Sequence, residues 1–158
     1  MIAAGPFAAF IRERFAATGR GIEDSVVERV LATTGGHPYA TQELCYALWD
    51  RVADGETAAD GRFEEALDGV LRSENAHFSR IWDRASRRQR LTLQALAQEP
   101  LTPISSSEFR RRYGLGTGST VYRALDRLAA DELVAKAGPG LYRLAEPFLA
   151  EWILRKGV

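Results

Sequence analysis

The amino-acid sequence predicts a mainly α fold with one short β-hairpin near its C-terminal end. Apolar residues recur at spacings of three and four along most of the chain, which is the period of an amphipathic helix. Two strings in the second half, each a serine followed three residues later by Gln or Glu, are typical helix starts. A Gly-Pro-Gly turn between two short apolar runs indicates the hairpin.

The composition suits two small folded domains. The chain has 158 residues, 46% hydrophobic and 27% charged, enough for each half to bury a core. No apolar run approaches the roughly 20 residues that cross a bilayer, and the N-terminus lacks the pattern of a secretory signal. One cysteine and two histidines exclude an internal disulfide and a usual structural zinc site. We therefore expect a cytoplasmic protein without membrane contact.

Residues 1–85 are predicted to form a helical bundle of four or five helices. Gly35-Gly36 ends the second helix, and Pro38 suits the first turn of the third because its missing N–H costs nothing there. The first predicted helix starts at Pro6 and stops at Thr18-Gly19. The other predicted elements are helices over Glu23–Thr34 and Pro38–Val52, a polar loop over Asp54–Gly61, and a long helix over Arg62–Ala85, with a break near Ser73–Asn75 left open. Their buried faces are predicted to include Phe7, Phe10, Ile11, Phe15, Val26, Val27, Val30, Leu31, Leu44, Cys45, Leu48 and Trp49.

Residues 86–158 are predicted to form a second domain of four helices and the hairpin. Capping boxes at Ser86–Gln89 and Ser105–Glu108 begin its first two helices, and Leu91, Ala95 and Leu96 should face inward. Thr117 is the predicted N-cap of the third helix. That helix buries Val121, Ala124, Leu125 and Leu128, and strands at Leu133–Ala137 and Leu141–Leu144 and a helix at Pro147–Arg155 follow. Helix, short helix, turn, helix and hairpin is the order of a winged helix-turn-helix.

The charge is distributed unevenly, although the formal net charge is +0. Residues 1–85 hold 9 Lys and Arg against 14 Asp and Glu, whereas residues 86–158 hold 12 against 7. A DNA-binding surface is therefore expected in the second half.

The exposed face of the third helix of the predicted winged helix supplies the candidate DNA contacts. Hydroxyl, phenol and guanidinium groups there can reach phosphates or base edges. The candidates are Ser119, Thr120, Tyr122, Arg123 and Arg127 on the helix, with Lys136 and Arg143 on the hairpin. The alternative is a solvated or protein-docking face, which Asp126, Asp131 and Glu132 favour by diluting the positive charge. The three arginines of the cluster Arg110–Arg112 point in three directions, and at most two can share a helix face. A phosphate contact stays open as an alternative, while ion pairing or solvation is favoured.

No catalytic residue is predicted. Cys45 lies on an apolar helix stripe without a nearby base, and the Gly-rich string at 114–119 has no lysine before its serine, as a phosphate loop requires. No metal ligand set is predicted either. The string from Gly35 to Gln42 is distinctive, but its spacing alone indicates only the turn between two helices.

One family carries most of these features together. The strings are Gly36-His37-Pro38-Tyr39-Ala40-Thr41-Gln42-Glu43-Leu44, Leu48-Trp49, Phe78 with Trp82, Gln89-Arg90-Leu91 with Leu96-Ala97, and Tyr142-Arg143-Leu144 with Glu146-Pro147-Phe148 and Trp152. From Phe7 to Trp152, the chain resembles the C-terminal lid and winged-helix region of prokaryotic, archaeal-type AAA+/STAND P-loop ATPases. The resemblance implies that Gly36, His37 and Pro38 border a bound nucleotide, with Pro38 near the base.

The resemblance also implies what should lie outside these residues. The phosphate loop and the metal-binding acidic strand of that family belong to an upstream nucleotide-binding domain, so ATP and Mg²⁺ are expected in a parent protein and no cofactor in this chain. The principal hypothesis is a nucleotide-responsive switch module that contacts DNA or a partner domain and has no catalytic activity itself. The alternatives are a free-standing, dimeric winged-helix transcription regulator that binds double-stranded DNA, and a docking module without affinity for nucleic acid.

Overall fold

The computed structural model describes residues 4–156 and confirms the mainly α fold with a small hairpin. The chain divides into two compact units, Met1–Glu74 and Asn75–Val158. The predicted division lies at residue 85, whereas the observed one lies inside a helix. None of the described helices is long and apolar enough to cross a membrane.

The first unit contains three helices, the start of a fourth and a two-stranded parallel sheet. These are α1 (Ala4–Ala16), β1 (Gly21–Ile22), α2 (Asp24–Thr34), α3 (Pro38–Trp49), β2 (Thr57–Ala58) and the first part of α4 (Asp60–Arg84). Helix α2 packs against both α1 and α3. Val26, Val27 and Val30 are fully buried, and Leu31 is only half-buried.

The prediction of a polar loop over residues 54–61 was incomplete, because this segment contains the strand β2. Gly21 and Ile22 pair with Thr57 and Ala58, and Ala58 is fully buried. A β-carbon at Gly21 would lie 2.5 Å from Thr57 Oγ1, so only glycine lets these strands approach. Strands of two residues are too short for an alternating pattern, so the sequence showed only their polar flanks.

Helix α4 runs unbroken from Asp60 to Arg84, so no break occurs near Ser73–Asn75. The division between the units falls inside this helix because its last turns pack within the second unit. Trp152 donates a hydrogen bond from Nε1 to Asn75 Oδ1 at 3.0 Å, and its ring meets Phe78 edge-on at 6.0 Å. The second unit therefore begins about three turns before the predicted boundary.

The second unit is built around α5 (Arg87–Gln98), which packs against α7, α8 and β4. Leu93 and Leu96 of α5 are buried, while Leu91, predicted to face inward, is half-buried. The other elements are α6 (Ser107–Arg112), α7 (Gly118–Ala130), β3 (Val134–Gly138), β4 (Leu141–Leu144) and α8 (Pro147–Lys156).

The structure confirms one predicted capping box and corrects the other. Ser86 accepts from the Gln89 N–H while Gln89 accepts from the Ser86 N–H, as predicted. At α6 the cap is Ser106, not Ser105, because the Ser106 hydroxyl accepts from the N–H of Phe109. The carbonyl of Ser105 instead accepts a hydrogen bond from the Arg110 guanidinium.

Candidate nucleic-acid interface

Helix α7 has one buried and one exposed face. Its apolar stripe of Val121, Ala124, Leu125 and Leu128 is buried as the spacing predicted. The exposed face carries the predicted polar candidates Ser119, Tyr122, Arg123 and Arg127, with Thr120 half-buried at the first turn. Tyr122 keeps 37% of its surface exposed, so both its ring and its phenol are accessible. The structure therefore gathers five of the seven predicted residues on one helix.

The start of α7 is held by a hydroxyl cluster. Thr117 is the N-cap, and its Oγ1 accepts from the N–H of Thr120 at 3.4 Å. The same oxygen lies 3.1 Å from Ser119 Oγ and 2.9 Å from Thr120 Oγ1. Each hydroxyl also has acceptor lone pairs, so Ser119 and Thr120 can stabilise the cap and still hydrogen-bond a ligand.

The two arginines of α7 are not neutralised within the fold. Within residues 4–156, the side chains of Arg123 and Arg127 form no hydrogen bond or ion pair, and the same holds for the side chain of Asp126 between them. The arginines lie one helical turn apart, where like charges destabilise a helix slightly. Both positive charges therefore stay available to a polyanion such as DNA.

The hairpin is held at its turn and along its second strand by a neighbouring segment. The N–H of Leu101 donates to Tyr142 O at 3.3 Å, and the N–H of Ile104 donates to Gly140 O at 3.1 Å. Val134 and Leu144 are paired and buried. These contacts fix the direction in which the hairpin leaves the core.

The two predicted basic residues of the hairpin lie on opposite faces of it. Lys136 pairs with Tyr142, and Arg143 pairs with Ala135. Directly paired residues share a face, and successive residues alternate. Lys136 is exposed and Arg143 is half-buried. Because they lie on opposite faces, the two side chains are not placed to bind the same phosphate.

The Arg110–Arg112 cluster divides into three roles. Arg112 pairs with Glu99 and with Glu108, so its charge is compensated. Hydrogen bonds from Tyr113 and then Arg112 lower the pKa of Glu99, while burial and the bond to Glu99 raise the pKa of Tyr113. Arg110 donates to the carbonyls of Ile104 and Ser105. The side chain of Arg111 is exposed and makes no such bond to any described residue, so the three arginines differ in their partners.

The three predicted nucleotide-contacting residues lie at the turn between α2 and α3. Gly35 and Gly36 both have positive φ, and the Nδ1 atom of His37 accepts from the Ala40 N–H at 3.4 Å as the N-cap of α3. Pro38 lines a cavity of about 590 Å³ between α1 and α3, whereas Gly36 and His37 do not.

Five of the twelve residues that line that cavity are aromatic, and the cysteine is another of them. Phe10, Tyr46 and Trp49 form part of its wall, and Phe10, predicted to be buried, is 48% exposed. Burial raises the pKa of the Cys45 thiol to about 12, so the sulfur remains a protonated thiol at neutral pH. The cavity holds no reactive thiolate.

Sequence reasoning missed Arg88, whose Nη1 atom donates to Gly114 O at 2.9 Å. Arg88 lies inside the Ser86–Gln89 capping box, and that motif explains the string through Ser86 and Gln89 alone. No periodicity links residue 88 to residue 114, so only the folded chain shows that they meet.

Comparison with known proteins agrees with this architecture. None of the curated proteins matches the chain. A family model described as a probable winged helix domain matches residues 76–155, a span that begins in the last turns of α4 and ends in α8. The match and the second compact unit begin within one residue of each other. Since this match covers half of the chain, the chain belongs to the probable winged helix domain family.

Proposed function

We propose that this protein binds double-stranded DNA through the exposed face of α7, as a regulatory module without catalytic activity. The observation that carries the proposal is the unpaired Arg123 and Arg127 beside Tyr122 and the hydroxyls of the first turn. In a helix-turn-helix the second helix of the motif enters the major groove with its N-terminal residues near base edges. Helix α7 occupies that position and carries groups that bind phosphates and bases.

The test is a fluorescence anisotropy titration of labelled duplex DNA at several salt concentrations. The variant Arg123→Ala/Arg127→Ala removes both unpaired cations of α7. Each lost phosphate contact lowers the slope of log K against log salt by about 0.9, so we expect weaker binding and a slope smaller by up to about 2.

A matched control exists on α4. Arg80 and Arg84 have the same four-residue spacing, are exposed, and form no hydrogen bond or ion pair among the described residues. Arg80→Ala/Arg84→Ala therefore changes net charge equally. Equal weakening by both double variants would mean that only overall charge matters, and no binding by the unmodified chain would favour the protein-docking alternative.

A further proposal concerns the parent protein. We propose that these residues are the lid and winged-helix region of a STAND-like AAA+ ATPase, in which nucleotide binding upstream moves the winged helix. Its support is the resemblance from Phe7 to Trp152 and the position of Pro38 on the wall of a cavity. The reading frame upstream of Met1 tests it: a phosphate loop followed by an acidic strand would support this parentage, and an immediate stop codon would oppose it.

A further inference from the structure

The second unit contains a basic cleft apart from the exposed face of α7. Its volume is about 440 Å³, and it lies where the start of α5, helix α6 and the turn before α7 meet. Its walls are formed by Arg88, Ser107, Arg110, Arg111, Gly114 and Gly116. Three of these six residues carry a guanidinium group, and no carboxylate lines the cleft.

Two of the guanidinium groups are fixed by backbone carbonyls. Arg88 donates to Gly114 O, and Arg110 donates to the carbonyls of Ile104 and Ser105. A guanidinium has five N–H donors, so both groups keep donors for a ligand. Neutral carbonyls orient these arginines without cancelling their charge.

The third guanidinium belongs to Arg111; its side chain is exposed and forms no hydrogen bond or ion pair with any residue from 4 to 156. Its neighbour Arg112 lies outside the cleft and is paired with Glu99 and Glu108. Arg111 and Arg112 are therefore neighbours in α6, but only the charge of Arg112 is compensated by carboxylates.

Gly116 brings the turn close to the Arg88 guanidinium. A β-carbon on Gly116 would lie 3.2 Å from the Arg88 guanidinium, and Gly116 has a φ of +81°, which disfavours other residues. Gly116 also lies two residues before Gly118, the first residue of α7. The cleft residue Gly116 therefore comes three and four residues before Ser119 and Thr120 in the chain.

We propose that this cleft binds a backbone phosphate of the DNA that α7 contacts, and so fixes the register of the helix on the duplex. The inference rests on the proposed DNA-binding function. Guanidinium groups form paired hydrogen bonds with phosphate oxygens, and the Ser107 hydroxyl supplies another donor. Phosphate contacts of this kind position a protein on DNA without reading its sequence.

The test compares Arg111→Gln with Arg112→Gln in the anisotropy titration, beside the α7 double variant. Both glutamine variants remove one positive charge from the same short helix. Arg111→Gln should weaken binding roughly five- to tenfold at about 0.1 M salt and lower the salt slope by about 0.9. Arg112→Gln should leave the slope unchanged. Urea denaturation of both variants checks that they fold.

The outcomes separate the two proposals. If the α7 variant weakens binding but Arg111→Gln behaves like Arg112→Gln, the cleft assignment is wrong and the proposed function stands. If the unmodified chain does not bind DNA, both fail. Amide shifts at Gly114 and Gly116 provide a second measurement by NMR. If inorganic phosphate alone saturates them at the same ionic strength, the cleft is a free-anion site and the assignment to DNA is overturned.

Discussion

Replacing Glu132 by glycine should stabilise the second unit. Three helices end in the same pair of hydrogen bonds, in which the first residue past the cap is left-handed. At α1 and α6 that residue is Gly19 or Gly114, whereas at α7 it is Glu132, with a φ of 57°. At α7 the N–H of Leu133 donates to Leu128 O at 2.8 Å, so the motif is complete despite the side chain.

The magnitude follows from the backbone. The left-handed conformation costs a residue other than glycine roughly 1–2 kcal/mol, and glycine removes this strain. Glycine also makes the unfolded chain more flexible, which offsets about 0.5–1 kcal/mol of the gain. The side chain of Glu132 is exposed and bonds to no described residue, so no other interaction is lost with it. The net gain should be about 0.5–1 kcal/mol.

The assay is urea denaturation followed by tryptophan fluorescence in a Trp49→Phe background. The remaining tryptophans, Trp82 and Trp152, both lie in the second unit and report on it alone. With a urea slope of about 1 kcal/mol/M, the midpoint should rise by about 0.5–1 M.

The control is Glu132→Ala, which removes the carboxylate near the end of α7 but keeps the β-carbon. It should leave stability within about 0.5 kcal/mol of the unmodified chain. Equal stabilisation by alanine and glycine would trace the gain to charge and refute the backbone argument. Gly114→Ala, which meets no atom within 4 Å, should destabilise by about 1 kcal/mol for the opposite reason.

Three further predictions concern buried groups. Since burial raises the pKa of Cys45 from 9.0 to about 12, the unfolded chain ionises first, and stability should fall as pH rises from 9 to 12; it should fall less steeply in Cys45→Ala, where only other groups such as Tyr113 contribute. Thr34 and Thr41 share a buried hydrogen bond of 2.7 Å, so Thr34→Val should cost about 1–3 kcal/mol in urea denaturation, and adding Thr41→Val should recover part of it. Trp152→Phe removes the bond to Asn75 and should cost about 1–2 kcal/mol, with an unchanged stability counting against that bond.

Long amphipathic elements could be predicted from the sequence because their signal repeats over several turns. The stripe of α7, the Gly35 stop of α2 and the Pro38 start of α3 are observed where they were expected. The chemistry of a cap acts over three residues, so a string of serines leaves its position ambiguous. Ser106 rather than Ser105 caps α6 for this reason.

Features that depend on contacts distant in sequence could not be predicted. The parallel pair β1–β2 joins residues 36 positions apart through two-residue strands, and the basic cleft joins Arg88 to a turn beyond α6. The faces of Lys136 and Arg143 depend on hairpin register, which the bulge between Lys136 and Gly138 makes hard to count from the turn. The sequence therefore predicted which side chains α7 exposes, but it did not predict the basic cleft or the faces of the hairpin.

The arginines of the second unit differ in whether a carboxylate pairs with them, and the net charge of the chain does not show this difference. Arg112 is paired with carboxylates, as exposed arginines in a nearly neutral chain usually can be. Arg111, Arg123 and Arg127 form no pair within the described residues, although Asp126 lies on the same helix as two of them. Unpaired like charges destabilise a compact state slightly, so they add nothing to folding. Their removal should leave the fold intact, and a loss of DNA affinity in these variants can therefore be attributed to lost contacts rather than to unfolding.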